Sequence, residues 1–169
     1  PESGESAAAI DEPIPRLRRY PRALTGERSP ADDLVQDTLE RAWAKLHLYR
    51  RGTDLRAWLF TVMHNVHVNR VRATRVTDPL EDEMPELAQR AAQGDALLVR
   101  DLDRAIARLP AVQRAVLLLV TLEEMGYEEV ARTVGIPIGT VMSRLSRARE
   151  KLRAMMLGQP AAAKVKAVT

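Results

Sequence analysis

The sequence predicts an all-α protein, and three observations support this fold class. The chain has only eight glycines, and almost all of them lie at the ends of segments or in turns. No stretch alternates apolar and polar residues over the length of a strand beside a hairpin turn. Apolar residues instead recur three and four positions apart in several segments, as they do on one face of an α-helix. We therefore predict helices throughout and no sheet.

Composition narrows the classes of protein further. A chain of 169 residues forms one ordinary domain or two small ones, and its net charge of +3 suits a polyanionic partner without proving one. The absence of cysteine excludes disulfides and thiolate metal sites and is compatible with the cytoplasm, where we expect the protein to work. No apolar run approaches the ~20 residues of a membrane span, and no signal-peptide pattern opens the chain, so we expect no membrane insertion.

A change of composition divides the chain into two predicted helical domains. Between positions 76 and 89 there are five acids, two prolines and no basic residue, which is typical of a linker. We place the first domain at residues 14–75, an acidic linker at 76–95 and the second domain at 96–157. Residues 1–13 and 158–169 are expected to be flexible tails.

The first predicted helix, residues 14–24, is rich in arginine and disturbed by Pro21, and the second carries an acidic face. Ser29 is expected to cap the second helix, with Pro30 at its first position and its end near Leu46. One side of this helix is apolar, and the opposite side carries Asp33, Gln36, Asp37 and Glu40. An acidic face is unsuited to DNA phosphates and favours a basic protein partner.

The third predicted helix is capped by Asp54 and is expected to end in a polar loop at residues 64–70. The aromatic residues around it are expected to be core: Trp43, Tyr49, Trp58 and Phe60. An asparagine side chain offers both a donor and an acceptor to a base edge, although a simple helix stop also explains these residues. The polar and basic residues of this segment and just beyond it are Asn65, His67, Asn69, Arg70 and Arg72.

The second domain is predicted to be built around an apolar helix at residues 112–122, which follows an amphipathic helix ended by Pro110. Two further helices then flank a turn made by Gly135-Ile136-Pro137, with Gly126 at the start of the first helix. The second of them begins near position 138 and turns an apolar stripe inward. Its outward residues are Thr140, Ser143, Arg144, Arg147 and Lys151. This pattern favours a helix-turn-helix that enters the DNA major groove, and a helical hairpin with merely solvated arginines is the alternative.

We find no motif that indicates catalysis. His64 and His67 have a spacing that suits a metal, but no third histidine or cysteine lies nearby, so we predict neither a metal site nor a cofactor. A Gly-rich phosphate loop, a Ser-His-Asp set and a catalytic carboxylate pair are all missing from the sequence. We therefore predict that the protein is not an enzyme.

Four stretches together resemble one protein family. They are LVQDTLERAW (34–43), TDLRAWLFTVMHNVHVN (53–69), LPAVQRAVLLL (109–119) and YEEVARTVGIPIGTVMSRLSRAREKL (127–152). In order and spacing they are similar to regions 2 and 4 of extracytoplasmic-function (ECF) sigma factors, over about residues 14–157. The stretch at 53–69 is especially close to general-stress-response members from α-proteobacteria.

The resemblance implies a subunit that binds the clamp and flap regions of bacterial RNA polymerase core and directs the enzyme to promoters. It implies that the polymerase is contacted by Asp33, Gln36, Asp37 and Glu40. It also implies that residues 65–69 form a loop that takes an unstacked −10 base, with Arg70 and Arg72 beside it on the separated strand. It also implies that Ser143, Arg144 and Arg147 touch the −35 duplex and that an anti-sigma factor controls the protein. Met142 departs from the arginine of some relatives, which puts base readout at that position in doubt.

Two other functions are compatible with parts of this pattern. A sigma-like decoy would sequester an anti-sigma factor without transcribing, but such decoys are usually fused to a receiver domain, whose α/β pattern is not seen here. An ordinary helix-turn-helix regulator would leave the acidic face of the first domain unexplained. Transcription with core polymerase separates all three functions.

Overall fold

The computed structural model describes residues 17–77 and 95–158, all of which are helices, turns or short connections. The expected tail at 1–13, most of the acidic linker and nearly all of the tail at 158–169 lie outside the described residues. Within these two ranges, seven α-helices and one short 3-10 helix follow one another. They are α1 Arg19–Thr25, α2 Arg28–Ala44, the 3-10 helix Leu46–Leu48, α3 Leu55–Thr77, α4 Asp95–Ala107, α5 Ala111–Thr121, α6 Tyr127–Val134 and α7 Ile138–Met156. No strand occurs within 17–77 or 95–158, which confirms the all-α fold class.

The first lobe consists of α1, α2 and α3 packed around an aromatic pair. Tyr20 of α1 and Phe60 of α3 are both 1% exposed, and their rings meet edge to face with centroids 5.4 Å apart. Such a pair contributes about 0.5–1.5 kcal/mol beyond the area that it buries. The hydroxyl of Thr38 is buried on α2 and donates to the Leu34 carbonyl at 2.6 Å, so this polar group is satisfied within its own helix.

The second lobe is built around α5, as its apolar sequence predicted. Five consecutive residues of this helix, from Ala115 to Leu119, are buried, and both α6 and α7 pack against it. A helix that is apolar on all sides is stable only when neighbours cover every side. The helix α4 completes the lobe by packing on α7.

The two lobes pack against each other and share a continuous hydrophobic core. The helix α1 of the first lobe contacts α4 and α5, and α3 contacts α6. The core therefore runs from Leu17 and Tyr20 through Met63 to Val116 and Val130 without interruption. Composition indicated two helical domains but contained no information about this packing.

Two local predictions in the first lobe are wrong. The helix α2 begins at Arg28 rather than after a Ser29 cap, and it ends at Ala44. Pro30 fits inside the first turn because the first N–H groups of a helix have no partner within the helix. The predicted aromatic core is also divided, since Phe60 is buried whereas Trp43 is 59% exposed.

The most consequential difference concerns α3, which does not end at residues 64–70. It continues as one helix to Thr77, so the predicted polar loop does not exist. Asparagine costs a helix only a few tenths of a kcal/mol, whereas the buried side of this helix extends through Met63 and Val66 and is covered by neighbouring helices. Packing of the apolar side therefore outweighs the local polar signal. The predicted cap is correct, because the Asp54 carboxylate accepts a hydrogen bond from the Ala57 N–H at 3.2 Å.

Candidate nucleic-acid interface

The pair α6 and α7 forms the predicted helix-turn-helix. Gly126 lies at the N-cap of α6, and Gly135 ends that helix with φ +74°, in the left-handed region that favours glycine. The Gly135 N–H donates to the Ala131 carbonyl at 2.9 Å, and Pro137 then caps α7 in an extended conformation. The turn and the start of α7 at Ile138 therefore lie where the sequence predicted them.

The outward side of α7 is polar and basic. Val141, Leu145 and Ala148 are buried against the lobe, which fixes the rotation of the helix about its axis. Of the predicted contact residues, Ser143 and Arg147 are exposed, whereas Thr140, Arg144 and Lys151 are half-buried. An exposed arginine on a rigid helix can form a bidentate contact to guanine or bind a phosphate.

The acidic face of α2 is present as predicted, and part of it is already engaged. Asp33, Gln36 and Glu40 are exposed. Asp37 pairs with the guanidinium of Arg70, which reaches over from α3 and also donates to the Asp33 carbonyl at 3.2 Å. The structure thus brings together two residues that the sequence had assigned to different partners, polymerase and DNA.

The other predicted −10 residues lie along one side of α3, in helix rather than in a loop. Asn65, Asn69 and Arg72 are exposed, and His67 is half-buried. Residues four positions apart lie one above the other on a helix, so Asn65 and Asn69 form one polar ridge. This ridge borders a groove between the lobes.

That groove has a volume of about 460 Å³ and a mixed apolar and basic lining. The first lobe contributes the α3 side chains just described together with His64, and the second lobe contributes Val112, Ile136 and Arg144. Burial above all, and then the positive charges of His67 and Arg144, lower the pKa of His64 to about 4. The pKa of His67 is lowered by burial first and then by Arg114 and Arg70. One predicted −35 residue therefore faces the predicted −10 residues across a narrow space.

Sequence reasoning missed a buried carboxylate between the lobes. Glu123 follows α5, its side chain is completely inaccessible, and its partners are Arg19 and Arg56 of the first lobe. The sequence shows an acid at the end of a long apolar run, and this pattern does not indicate which residues the acid contacts.

Within the described residues, no group of three or more histidines, cysteines or acids is close enough together to hold a metal ion. None of the described helices is both long and apolar enough to span a membrane.

The geometry therefore defines a two-lobed helical protein with a helix-turn-helix whose basic side faces outward. Two family models match the chain: "Sigma2 domain of PhyR" over residues 10–64 and "Sigma-70, region 4" over residues 100–152. The ECF RNA polymerase sigma factor EcfG of Rhodopseudomonas palustris is 37% identical over 85% of this chain and 80% of its own. The ECF RNA polymerase sigma factor SigM of Mycobacterium tuberculosis is 34% identical over 85% and 72%.

A solved structure extends the similarity to three dimensions. The sigma factor RpoE of Bartonella quintana, in complex with the anti-sigma factor NepR, aligns with a TM-score of 0.75 and 34% identity, over 90% of this chain and 97% of that one. The chain belongs to the ECF RNA polymerase sigma factors. This membership confirms the resemblance seen in the four sequence stretches.

Proposed function

We propose that the protein binds RNA polymerase core and directs it to promoters by contacting both the −10 and the −35 elements. The observation that carries this proposal is the exposed basic side of α7, whose opposite side is fully used in packing. We assign polymerase and −10 binding to residues 14–75 and −35 binding to residues 96–157. The protein would act in the cytoplasm as a regulatory subunit rather than as an enzyme.

The acidic face of α2 is proposed to contact the polymerase clamp. Asp33, Gln36 and Glu40 are exposed, and the Gln36 Nε2 donates a hydrogen bond to the Glu40 Oε1 at 3.4 Å. A cluster of negative charge and amide groups suits a basic protein surface and repels phosphate. Asp37 can join this contact once Arg70 releases it.

The ridge of Asn65 and Asn69 on α3 is proposed to receive a base of the separated −10 strand, with His67 beside it. The proposal differs from the sequence prediction because the site is a helix face, on which rigid side chains have defined directions. Each asparagine offers a donor and an acceptor to a base edge. Arg72 is exposed two helical turns beyond Asn65 and can bind the phosphate backbone of the same strand.

The outward side of α7 is proposed to read the −35 duplex. Arg147 is favoured for a base contact because it is exposed at the middle of the helix, and Ser143 lies one turn before it. Thr140 and Lys151, both half-buried, flank them toward the two ends of the helix. Arg144 contributes only if it leaves the groove between the lobes.

Control by an anti-sigma factor is proposed from the solved relative. The Bartonella sigma factor was crystallised with NepR, and its fold covers 90% of this chain. The groove between the lobes combines apolar and basic lining, which suits an acidic amphipathic helix.

Three variants separate these surfaces in one set of assays with polymerase core and a transcribed template. Gln36→Ala with Asp37→Lys should lose core in a pull-down while its helix content stays unchanged. Arg147→Ala should relax discrimination at one −35 base pair by roughly 1–3 kcal/mol, whereas an arginine that contacts only phosphate weakens binding equally for every sequence. Asn65→Ala should bind core and −35 duplex normally but give less strand opening by permanganate footprinting.

Arg51→Ala is the matched control, because Arg51 is exposed on the loop before α3 and belongs to none of the three surfaces. If each variant matches the control in its own assay, the corresponding surface is not used.

A further inference from the structure

The groove between α3 and the second lobe has an aliphatic floor. The floor residues are all buried or half-buried, and they are Val68, Val71, Ala111, Ala115, Val134 and Ile136. Apart from two histidines, no ring side chain lines the part of the groove that the structure describes. Branched aliphatic side chains pack closely on an alkyl chain, whereas a flat ring such as a nucleobase prefers an aromatic partner. The floor therefore suits an aliphatic ligand.

The α3 side of the groove consists of two rows of side chains. His64, Val68 and Val71 form the inner row, and all three are half-buried. The outer row is exposed and consists of Asn65, Asn69 and Arg72. In both rows the residues are four and three positions apart, a spacing that places them on one face of a helix. The groove therefore extends along α3, with the inner row as its wall and the outer row as its rim.

Two guanidinium groups supply the positive charge of the lining. Arg144 is half-buried close to His64, and Arg72 is exposed further along α3. Burial lowers the pKa of both His64 and His67, so both rings are neutral above about pH 7. Among residues 17–77 and 95–158, no carboxylate lies within ion-pair distance of either arginine, and no acid lines the groove. A half-buried cation without a counterion favours an anionic ligand.

The distance along α3 determines the length of a ligand that fits. His64, close to Arg144, and Arg72 are eight residues apart, which is about 12 Å along a helix axis. An extended chain advances ~1.2 Å per bond, so about ten carbon atoms cover this distance. The groove volume of about 460 Å³ lies in the usual range of small-molecule pockets, roughly 300–1,000 Å³. Such a ligand therefore fits between the lobes without any movement of the helices.

We propose that the groove binds an aliphatic carboxylate of about ten carbons, which is the chemistry of a medium-chain fatty acid. The carboxylate lies on the Arg144 guanidinium, and the alkyl chain runs along α3 over Val68 and Val71 toward Arg72. Val112 covers the chain from the second lobe. The site goes beyond the proposed function, because it requires neither polymerase nor DNA and adds a small molecule to the partners of the protein.

Isothermal titration calorimetry of the full chain with sodium decanoate at about pH 7.5 tests the site. We expect one site with a dissociation constant on the order of 10–100 µM, because burial of the alkyl chain exceeds the cost of association by a moderate margin. Octanoate should bind more weakly, by up to about four-fold per buried methylene, and dodecanoate no more tightly than decanoate. An equal gain per methylene through dodecanoate indicates nonspecific partition and overturns the site, as does the absence of saturable binding.

Two changes test the charge of the head group. Decyltrimethylammonium keeps the alkyl chain and reverses the sign, and it should bind at least about ten-fold more weakly than decanoate. Arg144→Gln should weaken decanoate binding at least about ten-fold, the usual effect of losing a charge-assisted hydrogen bond. Arg149→Gln is the matched control and should bind as the parent does, because Arg149 is exposed on the same helix outside the groove. Equal affinity for the two head groups overturns the proposal.

The alkyl chain is tested independently of charge by Val112→Asn. Val112 is 51% exposed, so the variant should fold, and the polar amide should weaken decanoate binding roughly three-fold or more. Val99→Asn is the matched control, since Val99 is 58% exposed on α4 and does not line the groove. Methyl NMR of the unsubstituted protein locates the ligand directly. Decanoate should shift the resonances of Val68, Val71 and Val112 and leave those of Val99 unchanged.

The NMR titration keeps the test decisive if either groove variant loses helix content by circular dichroism. Decanoate that leaves the groove valines unshifted overturns the proposal. Folded Arg144→Gln and Val112→Asn proteins that bind decanoate as tightly as the parent overturn it as well.

Discussion

Acidification should destabilise the folded protein through His64, and the lowered pKa of this residue determines the sign. Burial and the neighbouring charges of His67 and Arg144 lower the pKa of His64 from its ordinary 6.5 to about 4. Well above pH 6.5 the ring is neutral in both the folded and the unfolded chain, so it contributes no pH dependence. Between about pH 6.5 and 4 only the unfolded chain takes up the proton, and the free energy of unfolding falls as the pH falls.

The magnitude follows from the two pKa values. At pH 5, a group with pKa 6.5 unfolded and about 4 folded lowers the free energy of unfolding by roughly 2 kcal/mol. Part of the His64 ring remains accessible to solvent, so we expect the free energy of unfolding to fall by about 1–2 kcal/mol at pH 5. His67, whose pKa is also lowered by burial and by Arg114 and Arg70, adds a loss of the same sign.

Urea unfolding followed by far-UV circular dichroism measures this difference at about pH 7.5 and pH 5. His64→Gln removes the titrating group, so its loss of stability on acidification should be smaller than that of the parent by the stated 1–2 kcal/mol. His47→Gln is the matched control, because His47 is exposed in the 3-10 helix after α2. The reasoning is refuted if His64→Gln and the parent lose equal stability between the two pH values.

Three further changes test the packing and the electrostatics of the lobes by urea unfolding. Gly135→Ala should cost about 1–2 kcal/mol, because alanine is strained at φ +74° although no atom lies within 4 Å of the added Cβ; an unchanged midpoint contradicts this. Phe60→Ala should cost about 3–5 kcal/mol through lost contact with Tyr20, and a loss below about 1 kcal/mol would mean that the core collapses into the cavity. Asp37→Asn should cost less than about 1 kcal/mol, since both members of its ion pair with Arg70 are at least 36% exposed, and a larger loss would show that the pair is shielded from solvent.

The features that sequence predicted correctly are those set by local chemistry. Gly135 and Pro137 determine the turn of the helix-turn-helix through backbone conformation, and the apolar run of α5 requires burial whatever surrounds it. The inward positions of α7 likewise follow from helical spacing, so the exposed side, with Ser143 and Arg147, was predictable.

The features that sequence missed depend on contacts between distant residues. Asn65 and Asn69 indicated a helix end, but Met63 and Val66 pack against neighbouring helices on the other side of the same turns, and α3 passes through this segment to Thr77. Glu123 lies 67 positions from Arg56 in sequence, and nothing local indicates that they meet. The position of Arg144 in the groove between the lobes likewise follows from how the lobes pack.

Promoter-dependent transcription tests the central claim most directly. The measurement is run-off transcription with this chain, RNA polymerase core of Rhodopseudomonas palustris and a template library with randomised promoter positions. A sigma factor should yield transcripts whose templates share two elements separated by a constant spacing, and core alone should yield no such selection. A chain that binds core or an anti-sigma factor yet selects no templates above the core-alone background would contradict the account and favour a decoy.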